Sequence, residues 1–194
     1  MGPAVTYRDT VREIALADYG FITTKHAAAA GVPAVELRKL ATRGALVNIA
    51  YGIYRVPDAP DTPFDQFAEA LLRAGSGSYL RGDSVLALFG IADVNPRRIR
   101  VITPERTRAK IPAFIEVTVM SGHPHNLTHH RGLRAMAVAE ALLDCRGQIE
   151  RTRLLDATSE ARKEGLLTRE EHAHVLRALR HEQSPNTSAK LRSV

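Results

Sequence analysis

Between Pro33 and Gly44 the chain places cations and apolar residues at spacings that matter on a helix. At 100° per residue, Pro33, Leu37, Leu40, Ala41 and Gly44 fall on one side. Val35, Arg38, Lys39 and Thr42 fall on the other, flanked by Glu36 and Arg43. A helix of this width fits the DNA major groove, and its N-terminal half reaches base edges. Of Arg38 and Lys39, one would fork onto guanine while the other holds a phosphate. Val35 is apolar on a face that should be wet, and contact with a thymine methyl would account for it. Exposed arginine and lysine occur on most helices, so this face gains its meaning from the elements around it.

Those elements read as follows. Tyr7, Val11, Ile14, Ala15 and Asp18 keep helical spacing, and Gly20 stops that helix. Thr23 or Thr24 caps a short second helix through His26 and the alanines 27–30, which Gly31 ends. Pro33 suits the first turn of the third helix, and Gly44 closes it. Leu46 to Val56 alternates as a hairpin whose turn lies near Asn48–Gly52. Helix, glycine turn, helix and hairpin in this order spell a winged helix-turn-helix.

Two further groups belong to the same expectation. Thr23, Thr24 and Lys25 open the second helix, where backbone N–H groups suit a phosphate. Plain capping explains the threonines equally well. In the wing, Tyr51 and Arg55 are placed to meet the sugar-phosphate backbone or minor groove, while Ile53 and Tyr54 belong to the core.

The chain has 194 residues, a formal net charge of +6, 44% hydrophobic and 25% charged residues, which is the composition of a globular protein with room for two small domains. The basic excess favours polyanions. No apolar run is long enough to span a bilayer, and the first residues lack a signal-peptide pattern, so the expected location is cytoplasmic, with no membrane partner. The single cysteine, Cys145, shares a helical face with Val138, Ala141 and Leu142 and reads as a buried small hydrophobe.

Pro57 to Pro63 holds three prolines in seven residues and cannot be helix or central strand. The expected layout is a winged domain over 1–57, a linker over 58–63, a second domain over 64–181 and a flexible tail over 182–194. In the second domain, Phe64, Phe67, Ala68, Leu71 and Leu72 make a helical stripe. Ile99 and Val101 alternate with Arg98 and Arg100, and Ile115, Val117 and Val119 with Glu116 and Thr118. Thr168 and Glu171 form a capping box for a last helix with Val175 and Leu179 on its inner face. The fold class is therefore α+β, the second part a mixed α/β unit with a small antiparallel sheet and helices packed on one side.

Arg97, Arg98, Arg100, Arg106, Arg108 and Lys110 crowd one strand and its loop and form a candidate partner or nucleic-acid surface, although a charge-defended sheet edge explains them too. His123, His125, His129 and His130 lack the cysteines or carboxylates of a zinc site. Asp83 and Ser84 open a helix, where capping explains them, and Arg131 and Arg134 could take a phosphate with no nucleophile near. No Walker loop, Gly-x-Ser-x-Gly or His-Glu-x-x-His motif is present, so neither an enzyme, a small-molecule substrate, a metal nor a cofactor is expected.

The ensemble Gly20-Phe21-Ile22-Thr23-Thr24, Ala28-Ala29-Ala30-Gly31-Val32, Leu37-Arg38-Lys39-Leu40, Arg43-Gly44-Ala45-Leu46 and Tyr51-Gly52-Ile53-Tyr54-Arg55-Val56-Pro57 resembles the AbiEi-type antitoxins of bacterial toxin–antitoxin pairs, in their actinobacterial, MenA-like branch. The likeness continues through Gly82–Gly90 and Glu140-Ala141-Leu142-Leu143-Asp144, and so covers most of 5–181. It implies a regulator that binds inverted repeats in its promoter, represses its own operon and counteracts a nucleotidyltransferase-type toxin (AbiEii or MenT). Two departures stand out. The wing tip, Asn48-Ile49-Ala50-Tyr51, lacks the arginines frequent there, and Ala137 and Ala139 replace a hydroxyl that often caps the later helix. Two other readings compete: a toxin-neutralising protein-interaction module without DNA binding, and a nuclease using the histidine loop.

Overall fold

The computed structural model describes residues 6–107, 110–120 and 126–181. Arg108, His123, His125 and the segment 182–194 lie outside the described residues.

The first helix, α1 (Tyr7–Ala17), opens on a capping box. Thr6 accepts from the Asp9 amide, and the Asp9 carboxylate accepts from the Thr6 amide at 3.1 Å. Val11 and Ala15 are its buried face. Gly20 ends the turn that follows, with φ +78°. A Cβ there would sit 2.5 Å from that of Ala59, so the position needs glycine for space as well as for backbone. Next comes β1 (Phe21–Thr23), a strand the sequence reading did not contain. It has three residues, too few to show alternation, and its partner lies some thirty positions on.

The short α2 (Thr24–Ala29) and α3 (Ala34–Thr42) follow, then the hairpin β2 (Val47–Ala50) and β3 (Ile53–Arg55). Pro33 is the N-cap residue of α3, one position ahead of the first turn. The three strands form an antiparallel sheet in the order β1-β3-β2. Val11, Ala15, Ile22, Ala27, Leu37, Leu40 and Tyr54 share one buried cluster. The register slips between Asn48 and Ala50, which leaves Ile49 as a bulged residue.

The second unit begins with α4 (Asp65–Ala74), β4 (Tyr79–Leu80), α5 (Asp83–Phe89), β5 (Ile99–Thr103) and β6 (Ile115–Val119). It continues with β7 (Leu127–His130), β8 (Leu133–Met136), α6 (Val138–Asp144), α7 (Arg151–Lys163) and α8 (Arg169–Arg180). The five strands lie in the order β6-β5-β4-β8-β7. The expected α+β class and antiparallel pairing are present: β4/β5 and β7/β8 run antiparallel. The β5/β6 and β4/β8 pairs are parallel, because β6 returns beside β5 from its starting end and β8 enters beside β4 across the sheet. Ile99 and Val101 are buried as their alternation requires. The Thr168–Glu171 capping box is formed, and Val175 and Leu179 are buried.

The N-cap of α6 is Ala137, which makes no side-chain cap, the consequence of the missing hydroxyl. Cys145 is fully buried, as its helical face suggests. Burial, reinforced by Asp83 and Asp144, pushes its thiol up to about 12.

The two units are docked. Phe21 and the bulged Ile49 of the winged unit pack into the core of the second. The Tyr19 hydroxyl donates to the Arg131 carbonyl at 2.6 Å, and its ring lies 6.5 Å from that of Phe64.

Candidate nucleic-acid interface

The third helix presents the face its periodicity implies. Leu37 and Leu40 are buried, while Arg38, Lys39, Thr42 and Arg43 are exposed. Val35 is 44% exposed, a branched apolar side chain standing in water. The two cations differ. Lys39 is held by Glu36 at 2.9 Å, one turn back. The Arg38 side chain has no hydrogen-bond or ion-pair partner among the described residues, so its donor fork is free. Thr42 spends its hydroxyl proton on the Arg38 carbonyl at 3.0 Å. That hydroxyl keeps only its acceptor side, so a donated bond from Thr42 to phosphate is not on offer.

At the start of α2 the threonines do structural work. The Thr23 hydroxyl accepts from the His26 amide at 3.0 Å, which leaves its own proton as a donor. The Thr24 amide donates to the Gly52 carbonyl at 2.9 Å and ties the helix to the wing turn. Lys25 is exposed. The wing turn itself puts Tyr51 at 99% exposure, and Ile53 and Tyr54 go to the core as expected.

Arg55 requires correction. Its guanidinium pairs with Asp61 at 2.6 Å and Asp65 at 2.7 Å and lies over the Phe21 ring, 5.5 Å from the centroid. The wing strand, the proline segment and the start of α4 thus share one cation. A side chain so engaged is a clasp between segments rather than a phosphate contact.

The basic group in the second unit is also rearranged. Arg100 lies near Asp83 at 3.7 Å and Glu116 at 3.9 Å and donates to Gln148, so it is not a free cation. Arg97 and Arg98 are exposed where the chain enters β5, and Arg106 is exposed past its far end, separated by roughly 17 Å of strand. Lys110 is exposed in the return to β6. Sequence proximity therefore overstates the patch, because an extended strand carries its two ends apart.

Of the described histidines in this stretch, His129 is exposed and His130 packs against Phe89 with ring centroids 4.6 Å apart and the planes tilted by 50°. Burial, helped by Arg131, holds His130 below its ordinary pKa. Ser84 does not cap; its buried hydroxyl accepts from the Arg100 amide at 2.8 Å. Asp144, last residue of α6, takes both arms of Arg81 at 2.9 and 2.5 Å. Burial raises the neighbouring Asp83 carboxyl, against the pull of Arg100.

An exposed basic helix between a helix-turn and a β-hairpin defines a winged helix-turn-helix. Residues 9–57 match the family described as "Transcriptional regulator, AbiEi antitoxin". The winged unit is thus similar to that of the AbiEi antitoxin regulators, and the match spans this unit, about a quarter of the chain. No curated protein matches the chain. Among solved structures, the RV2827C protein from Mycobacterium tuberculosis superposes at a TM-score of 0.45 with 18% identity, over 90% of this chain and 72% of that one. Among the described residues no helix is long and apolar enough to cross a membrane.

Proposed function

We propose that the chain binds the promoter of its own operon through α3, represses it, and counteracts a nucleotidyltransferase-type toxin. The observation that carries the DNA reading is Arg38: exposed and unpaired on the face opposite the Leu37–Leu40 ridge. Val35 beside it would read a thymine methyl, and Lys39 and Arg43 would hold phosphates. Lys25 and the Thr23 proton would meet the backbone on one flank, and Tyr51 would do so from the wing. Paired α3 helices on inverted repeats would require half-sites about one helical turn, 34–36 Å, apart or a multiple of it. The divide at 58–63 then separates a DNA-reading unit from one bearing the toxin-directed role, with Arg97 and Arg98 at one end of β5 and Arg106 and Lys110 beyond the other as candidate partner contacts.

The test is titration of the operon's promoter at fixed salt, with Arg38→Ala beside the parent. Loss of a base-reading arginine should cost about 1–3 kcal/mol of binding free energy and relax one operator position. Equal binding by the two proteins would remove α3 from the interface. Co-purification with the toxin, without any promoter shift at low salt, would leave a neutralising module that does not bind DNA.

A further inference from the structure

A groove of about 560 Å³ opens between the two units. Small-molecule sites occupy about 300–1,000 Å³ and combine apolar walls with a few placed polar groups. Here Leu71 and Leu72 of α4, with Leu133 of β8, supply the apolar wall. Leu71 and Leu72 are only partly covered by the protein, so they retain surface for a guest.

The charge of the lining points the same way. Lys25 comes from the winged unit and Arg134 from the second, and neither side chain has an ion-pair or hydrogen-bond partner among the described residues. The acid in the lining, Asp18, lies 3.5 Å from the His26 ring, which offsets its charge only when protonated, and burial raises its pKa. Arg73 lines the groove too, but it is satisfied by Glu69 and by the Ile49 carbonyl. Among the described residues, two cations without partners, Lys25 and Arg134, therefore line the groove together with its apolar wall, against the single acid Asp18.

We propose that this groove binds a small amphipathic anion. Its apolar body would lie on Leu71, Leu72 and Leu133, and its phosphate, sulfonate or carboxylate group would be drawn to Lys25 and Arg134. Thr24, Tyr51 and Gly52 also line the groove, so an occupant would touch the wing turn as well as the second unit. The groove shares Lys25 and Tyr51 with the DNA contacts proposed above, but its test uses the protein without DNA, so its failure and that of the DNA reading are distinguishable.

The experiment is a fluorescence titration of the full chain with anilinonaphthalene sulfonate, an aromatic body carrying one anionic group, set against neutral phenylnaphthylamine. One saturable site per chain is expected for the sulfonate. The double variant Lys25→Glu/Arg134→Glu should weaken it by at least about tenfold. Ser76→Trp should do the same by plugging the groove, since Ser76 is an exposed lining residue outside the core. Thermal melts of both variants establish that they are folded. No saturable binding, equal affinity for the neutral probe, or undiminished affinity in both folded variants would overturn the proposal.

Discussion

The Arg73 guanidinium donates to the Ile49 carbonyl at 2.7 Å, joining α4 of the second unit to the bulge in the wing. The bulge explains the bond. Ile49 is the extra residue between Asn48 and Ala50, so it is left out of the ladder pairing and its carbonyl turns to another donor. The wing is therefore clasped at the residue where its strand departs from regular pairing.

Removing this clasp has a defined outcome. Arg73 is 11% exposed and also holds Glu69 at 2.6 Å. Arg73→Met keeps most of the aliphatic packing but strips both bonds and leaves the Glu69 carboxylate alone. Unfolding free energy should fall by about 1.5–3 kcal/mol, the worth of charge-assisted hydrogen bonds. Amide exchange should rise first in β2 and its turn. A melt and exchange pattern like those of the parent would show that the wing is held by its own sheet.

Arg55 offers a contrast between stability and binding. Its partner Asp65 is largely covered, while Asp61 is nearly fully exposed. Arg55→Ala should lower stability by about 1–3 kcal/mol, mostly through Asp65 left without its cation. Promoter affinity should stay within about twofold, since no phosphate contact is lost. A large loss of affinity in a stably folded variant would restore Arg55 to the interface.

Glu36 and Lys39 make a prediction opposite in sign. The ion pair at 2.9 Å neutralises a cation on the exposed side of α3, the face proposed to meet DNA. Glu36→Gln should free Lys39 and remove a negative charge, which raises promoter affinity and steepens its salt dependence by about one phosphate's worth. Lys39→Ala should cost less than Arg38→Ala. The comparison is made by titrations at several salt concentrations, and equal slopes for parent and Glu36→Gln would refute it.

Cys145 sets a limit at high pH. Its thiol rises from an ordinary 9.0 to about 12 in the folded chain. Below pH 9 the thiol is neutral in both states and contributes nothing. Above it the unfolded thiol loses its proton while the folded one keeps it, so the unfolded state gains and stability falls. Denaturant midpoints should decline from about pH 9 upward in the parent and less so in Cys145→Ala, after allowing for that variant's lower baseline. At pH 8 a disulfide reagent should label the thiol only after unfolding, and rapid labelling of the folded chain would contradict the burial.

Helical spacing alone placed α1, α3 and the last helix, the glycine stops and the split of α3 into Leu37–Leu40 and Val35–Arg38 faces, because these depend on residues within one or two turns of each other. The hairpin, the capping box at Thr168 and the buried Cys145 were legible for the same reason. What local spacing could not carry was the pairing of distant segments. Strand β1, the parallel β5/β6 and β4/β8 pairs and the docking of the two units all join residues far outside one or two turns, from 16 positions apart in β5/β6 to 112 between Tyr19 and Arg131. Arg55 and Arg100 read as free cations in the chain because the acids that claim them, Asp65 on one side and Asp83 with Glu116 on the other, arrive only when those segments fold together. Arg38 stayed free because, among the described residues, no packed element brings an acid to pair with it, and that is a property of the assembled surface rather than of the residues next to it.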